Sequence, residues 1–189
     1  MRIHDLLNKS VDDFNTILHE CSQFIEETEG QFVAKNLPKS YGDVHKVKVR
    51  KRKTQAFDQT FNEAFDYHEL RQRSIIGNGG ASFVAEHNTA TDPFFIFPTD
   101  GYKYIYCREV ANSTDAYKPV FDQIFEGFGT DRGTNVITDM LKITYTHEHL
   151  VEGIAGGAEI IFYNIPYYYA VRADIVQEYS DLMTTITQI

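Results

Sequence analysis

Gly156-Gly157-Ala158-Glu159-Ile160-Ile161-Phe162-Tyr163-Asn164-Ile165-Pro166-Tyr167-Tyr168-Tyr169-Ala170-Val171-Arg172 is a run in which one carboxylate opens an otherwise apolar and aromatic stretch, directly after a glycine pair. The β-branched and aromatic character of 160–162 and 167–171 predicts two strands joined by a proline-containing turn. A Glu at the lip of such a strand has its backbone held by the sheet while its carboxylate faces whatever the sheet borders. That is a good mount for a catalytic acid. A strand-end Glu facing solvent is the plainer reading, because most charged residues lie at the surface.

Outward from this pair, the chain reads as helices at both ends around a strand-rich middle. Ser10-Val11-Asp12-Asp13 has capping character, and Leu7, Val11, Phe14, Leu18, Cys21 and Ile25 step by fours and threes, which predicts a helix over 11–27. Strands are expected at 31–34 and 44–50, with a loop from Pro38 to Asp43. Phe57, Phe61 and Phe65 lie four apart and predict a helix with an aromatic face. Gly77-Asn78-Gly79-Gly80 reads as a turn, followed by short strands at 82–85, 94–97 and 102–106. Two further helices are expected, one through Tyr117 to Phe128 and one over 133–145, then a short helix capped by 146–149 and a closing helix over 174–187. The expectation is an α+β fold, a single domain over 1–189 with flanking helices around a split central sheet.

With 189 residues the chain can bury a substantial core, and Tyr 12, Phe 14 and Trp 0 make that core aromatic. No window is apolar enough to cross a bilayer, and Met1 to Lys9 lacks the apolar centre of a secretion signal. Cys21 and Cys107 have no metal or redox spacing, so reduced buried thiols of a reducing cytoplasm are expected. His147 and His149, two apart on a helix, point to different faces, and no metal site is expected. The glycines at 77, 79 and 80 fit neither a P-loop nor a dinucleotide fingerprint, and no Gly-x-Ser-x-Gly elbow is present.

A net charge of −9 argues against general nucleic-acid affinity, yet the charge is uneven. Lys46, Lys48, Arg50, Lys51, Arg52 and Lys53 form a basic island, whereas 12–29 and 109–132 are acidic. Val44, Val47 and Val49 interleave with the island, which predicts a strand running into a charged loop. The island is either an edge strand guarded by lysines or a site for a phosphate, a nucleotide or an acidic partner. Tyr102, Tyr104, Tyr106, Tyr167, Tyr168 and Tyr169 either pack the sheet or stack on a ring-bearing ligand.

The order of these segments resembles ADP-ribosyltransferases of the arginine–serine–glutamate type, especially small phage-encoded members. The resemblance covers roughly 14–172 and rests on Gln31 to Leu37, the basic segment, Arg73-Ser74 and the Glu159 strand. It implies an NAD-dependent transferase acting on a host protein or nucleic-acid acceptor in the host cytoplasm, with NAD as substrate and no metal. Glu159 would be the catalytic acid, steadying oxocarbenium character on the ribose, and Ser74 would lie beside the nicotinamide. Lys35, Arg50, Arg52 and Arg73 would bind the cofactor phosphates. The chain departs from the family where an aromatic followed by Arg-Gly is usual, since it has Val33-Ala34-Lys35-Asn36. An ammonium does not reproduce the bidentate fork of Arg. Gly157 stands where members that modify arginine often carry a second Glu, which puts arginine as acceptor in doubt. The alternative is a phage accessory or virion protein that keeps the scaffold, has lost catalysis and serves as an interaction module.

Overall fold

A computed structural model describes residues 14–53, 55–80, 90–107, 112–128 and 130–175. Helical residues 14–20 (α1) and Ser22–Glu27 (α2) are separated by a turn at Cys21 and cover the described part of the helix expected over 11–27. Strands β1 (Val33–Pro38) and β2 (Val44–Lys48) follow, then α3 (Ala56–Ala64), β3 (Ile75–Gly79), β4 (Thr91–Pro98) and β5 (Lys103–Cys107). Helices α4 (Ser113–Phe128) and α5 (Thr130–Thr144) lead to β6 (Tyr145–Thr146), α6 (Leu150–Ala155), β7 (Glu159–Tyr163) and β8 (Tyr167–Arg172). The expected strand at 82–85 and the closing helix beyond residue 175 lie outside the described residues.

The fold is α+β, with one eight-stranded antiparallel sheet in the order β2-β8-β4-β1-β3-β7-β5-β6 and helices packed on it. The ladder is continuous where a split sheet was expected, but it narrows sharply at one point. β1 pairs with β4 through six residue pairs and with β3 through only two, Val33–Gly79 and Ala34–Asn78. Past Ala34 the two strands part, and Lys35 reaches across the gap to donate to the Ile76 carbonyl at 2.7 Å. A side chain thus satisfies a carbonyl facing the gap.

β7 is buried at all five positions because both its faces are covered, which explains an apolar run instead of alternation. Ile160 and Phe162 join a cluster with Phe24, Tyr106 and Ile154. Ile161 and Tyr163 join a second cluster with Phe57 and Phe61 of α3, Phe121 of α4, and Ile137 and Leu141 of α5. The expected aromatic face of the third helix is therefore core, with Phe57 and Phe61 edge-to-face at 5.4 Å.

The turn expected at Gly77 to Gly80 is corrected: Gly77 and Gly79 lie inside β3, and only Gly80 has the left-handed backbone, at φ 78°. Both strand glycines answer to close packing. A Cβ on Gly77 would sit 2.7 Å from Val33 Cγ1, and one on Gly79 would sit 2.3 Å from the Ile154 carbonyl oxygen. α6 therefore lies directly on the β3 backbone. Gly79→Ala should push α6 off the sheet and cost about 2–3 kcal/mol, lowering the thermal midpoint by roughly 5–10 °C in a melt followed by circular dichroism.

Candidate functional site

A cleft of about 660 Å³ opens where β1 and β3 part. Its floor and walls come from Lys35 on β1, His45, Lys46, Val47 and Lys48 on β2, Val49, Arg50 and Arg52 beyond it, and Ser74, Ile75 and Ile76 at the start of β3. Tyr41 and Tyr168 complete it, and no carboxylate lines it. The basic island is carried from the sheet edge to this place by two backbone bonds: Val49 N–H donates to the Pro166 carbonyl and Arg52 N–H to that of Gln72, each at 2.9 Å. Arg52 Nη2 then donates to the Arg71 carbonyl at 2.6 Å and to Ser74 Oγ at 3.3 Å.

Lys46 is neutralised by Glu20 at 2.6 Å and sits over the Tyr169 ring. Lys35, Lys48, Arg50 and Arg52 have no ion-pair partner among the described residues. Burial holds the Lys35 ammonium down to about 8, with Arg52 repelling it and Glu159 favouring its charged form. Burial also lowers Arg52, as does its neighbour Arg71. The cleft therefore carries like charges that an anion would relieve.

Glu159 is not in that lining. Its carboxylate, on a residue 5% exposed, accepts from the Ser113 backbone N–H at 3.1 Å and from the Ser113 hydroxyl. That hydroxyl in turn accepts from Arg71 Nη1 at 2.6 Å, and Arg71 Nη1 stands 3.9 Å from Glu159 Oε1. Arg71 also donates to Thr114 Oγ1 at 3.1 Å, pairs with Asp58 at 3.2 Å and packs over the Phe61 ring at 4.8 Å. Asp58 serves twice, since its other oxygen accepts from the Gln55 N–H and closes the capping box of α3. The buried carboxylate and the buried guanidinium compensate each other through this shared set of partners.

The structure thus brings Lys35, Arg50, Arg52 and Ser74 together and leaves two expected site residues elsewhere. Arg73 is exposed and paired with Glu69. Glu159 faces Asn78 in the ladder, while Ile75 faces Phe162, so Ser74 lies four residues along β3 from Asn78, roughly 13 Å at 3.3 Å per residue. The hydroxyl beside Glu159 is Ser113, and the guanidinium is Arg71. Asn112-Ser113-Thr114-Asp115, a helix-cap pattern before the Tyr117 stripe, was the one sequence signal for the former; Arg71 had none. Of the tyrosines, Tyr102 bonds Glu27 and Tyr106 the carbonyls of Glu148 and His149, so both are structural, whereas Tyr168 lines the cleft. Both cysteines are free and buried. Among the described residues no group of three or more His, Cys, Asp or Glu is placed to hold a metal, and no helix is long and apolar enough to cross a membrane.

Compared with protein-family models, curated proteins and solved structures, the chain matches none.

The two charged centres should respond oppositely to neutralisation. Arg71→Met strands Glu159 and should cost about 3–5 kcal/mol. Lys35→Met removes a poorly solvated charge and should stabilise by about 1 kcal/mol, raising the midpoint by roughly 2–4 °C. The unfolded chain keeps the Lys35 proton up to the ordinary 10.5 and the folded chain only to about 8. Wild-type stability therefore rises across that interval by more than the advantage of Lys35→Met, which should be full below pH 8 and reversed by pH 10.5 in urea titrations, where neutral Lys35 still holds the Ile76 carbonyl.

Proposed function

We propose that this protein is a nucleotide-binding domain of ADP-ribosyltransferase-like build, which takes NAD as substrate and passes ADP-ribose to a host macromolecule. The observation that supports this best is an adjacency. The three strands marked by the resemblance, β1, β3 and β7, are neighbours, and a carboxylate-free cationic cleft runs from the basic segment to Lys35 of β1 and Ser74 to Ile76 at the start of β3. Its volume, about 660 Å³, falls in the range of sites that enclose a small molecule. In this reading the pyrophosphate lies among Lys35, Arg50 and Arg52, with Tyr168 and Tyr41 against the rings. The ribose C1′–N1 bond breaks and nicotinamide leaves with the bonding pair. The acceptor's lone pair then forms the new bond at C1′, and the acceptor gives up a proton to solvent.

Glu159 would stabilise positive charge on the ribose, for which Ser113 must first release it. A second reading, binding without catalysis in an accessory or virion protein, has that arrangement in its favour. A carboxylate committed to Ser113 and Arg71 serves the fold as it stands.

The test is transfer of label from adenine-labelled NAD to macromolecules of a bacterial lysate, with nicotinamide release measured in parallel. Wild type should label and Glu159→Gln should not, while both bind ADP-ribose by calorimetry. Glu159→Asp, which keeps a charge for Arg71, should fold normally and lose at least about a hundredfold in rate. ADP-ribose binding with no label and no nicotinamide released would reject transfer and leave the binding-only reading. No ADP-ribose binding would reject the transferase and leave the interaction module as the remaining reading.

A further inference from the structure

The cations around the cleft outnumber what a dinucleotide needs. Lys35, Lys48, Arg50 and Arg52 line it, and Lys53 extends the row beyond it. None of these has an ion-pair partner among the described residues. A pyrophosphate diester carries two negative charges, which leaves a surplus of positive groups in a chain whose net charge is −9. Unpaired like charges crowded on one ribbon repel each other, so a ligand of higher valence gains more here than a compact one.

The arrangement is also linear. Lys48 closes β2 and Arg50, Arg52 and Lys53 follow within five residues, so the unpaired cations succeed one another along one ribbon, while Lys46 is spent on Glu20. Tyr41 and His45, the latter on the face of β2 opposite Lys46, stack on each other at 4.8 Å and 29° in the cleft that Lys35 and Arg52 also line. A π-surface next to a track of cations is the combination that single-stranded nucleic acids use, with phosphates along the charges and bases against the rings. An acidic peptide would satisfy the charges but leave the rings without a planar partner.

We infer that the basic ribbon is a binding track for a short single strand of RNA or DNA, entering at Lys53 and running past Arg50 and Lys48 toward the cleft. It shares the cleft of the proposed transferase but not its chemistry, so it stands or falls independently of NAD turnover. A duplex keeps its bases stacked away from Tyr41 and His45, and its doubled charge density meets more repulsion from the acidic remainder of the molecule. The track therefore takes single strands, through about three to five phosphates, with a slope of log affinity against log salt near −2 to −3.5.

The test is fluorescence anisotropy of a labelled ten-residue single strand with the full chain at several salt concentrations. The same strand as a duplex and a glutamate decapeptide serve as competitors. The expected result is binding of the single strand that neither competitor displaces at equal charge. Lys48→Glu with Lys53→Glu should weaken binding at least tenfold and flatten the slope by about 1 to 2, roughly one unit for each phosphate no longer held. Lys103→Glu with Lys142→Glu changes net charge equally from two exposed sites elsewhere and should leave it within twofold. Tyr41→Ala should weaken binding with the slope unchanged. Displacement by the glutamate peptide would overturn the inference in favour of an acidic protein partner. Equal loss in both charge-reversed pairs, or no binding of the single strand, would overturn it outright. Binding of the strand with no NAD cleavage would uphold it while rejecting the transferase.

Discussion

The two-pair contact between β1 and β3 is the constraint on which the rest depends. A fully zipped ladder there would continue the sheet and leave no room beside it. By stopping after Ala34 and Asn78, the strands part in the middle of the sheet without exposing an apolar edge. Lys35 spans the opening, so its ammonium is both a structural donor to Ile76 and the deepest charge of the cleft. Burying it costs stability that an incoming anion can return, which is the usual relation between a strained charge and a binding site.

Behind this opening sits a second polar centre with a different logic. Glu159, Ser113, Arg71 and Asp58 tie β7, α4, the segment before β3, and α3 together at the edge of the second core. Removing Arg71 would strand Glu159 in a dry setting, whereas Arg71 would keep Asp58 if Glu159 were removed. The same network aims Glu159 at α4 and not into the cleft.

Much of the scaffold was legible from periodicity. The Phe57/Phe61 stripe and the apolar run from Glu159 to Arg172 each marked buried elements, because local pattern and tertiary burial agree there. The glycine half of β3 was misread because Gly77 and Gly79 carry the signature of a turn, whereas they are small to let Val33 and Ile154 approach. The cationic half of the site was legible for a simple reason: a basic run in an acidic chain is visible without knowing the fold. The partners of Glu159 were not, since Arg71 lies 88 residues before it and Ser113 46 before it, and neither spacing carries a local rule. Arg73-Ser74 drew attention because the pair is adjacent in sequence. Folding points Arg73 to Glu69 in solvent and turns Arg71, two residues earlier, inward.

The central claim is that the parting of β1 and β3 creates an anion site with Lys35 at its base. Carbon-detected NMR of the Lys35 side chain, titrated with pH in the absence and presence of inorganic pyrophosphate, tests it most directly. The account predicts a midpoint near 8 for the free protein, moving up by at least one pH unit when pyrophosphate is added. A midpoint at the ordinary 10.5 that ignores pyrophosphate would contradict it, because Lys35 would then be a solvated surface lysine and the cleft no site at all.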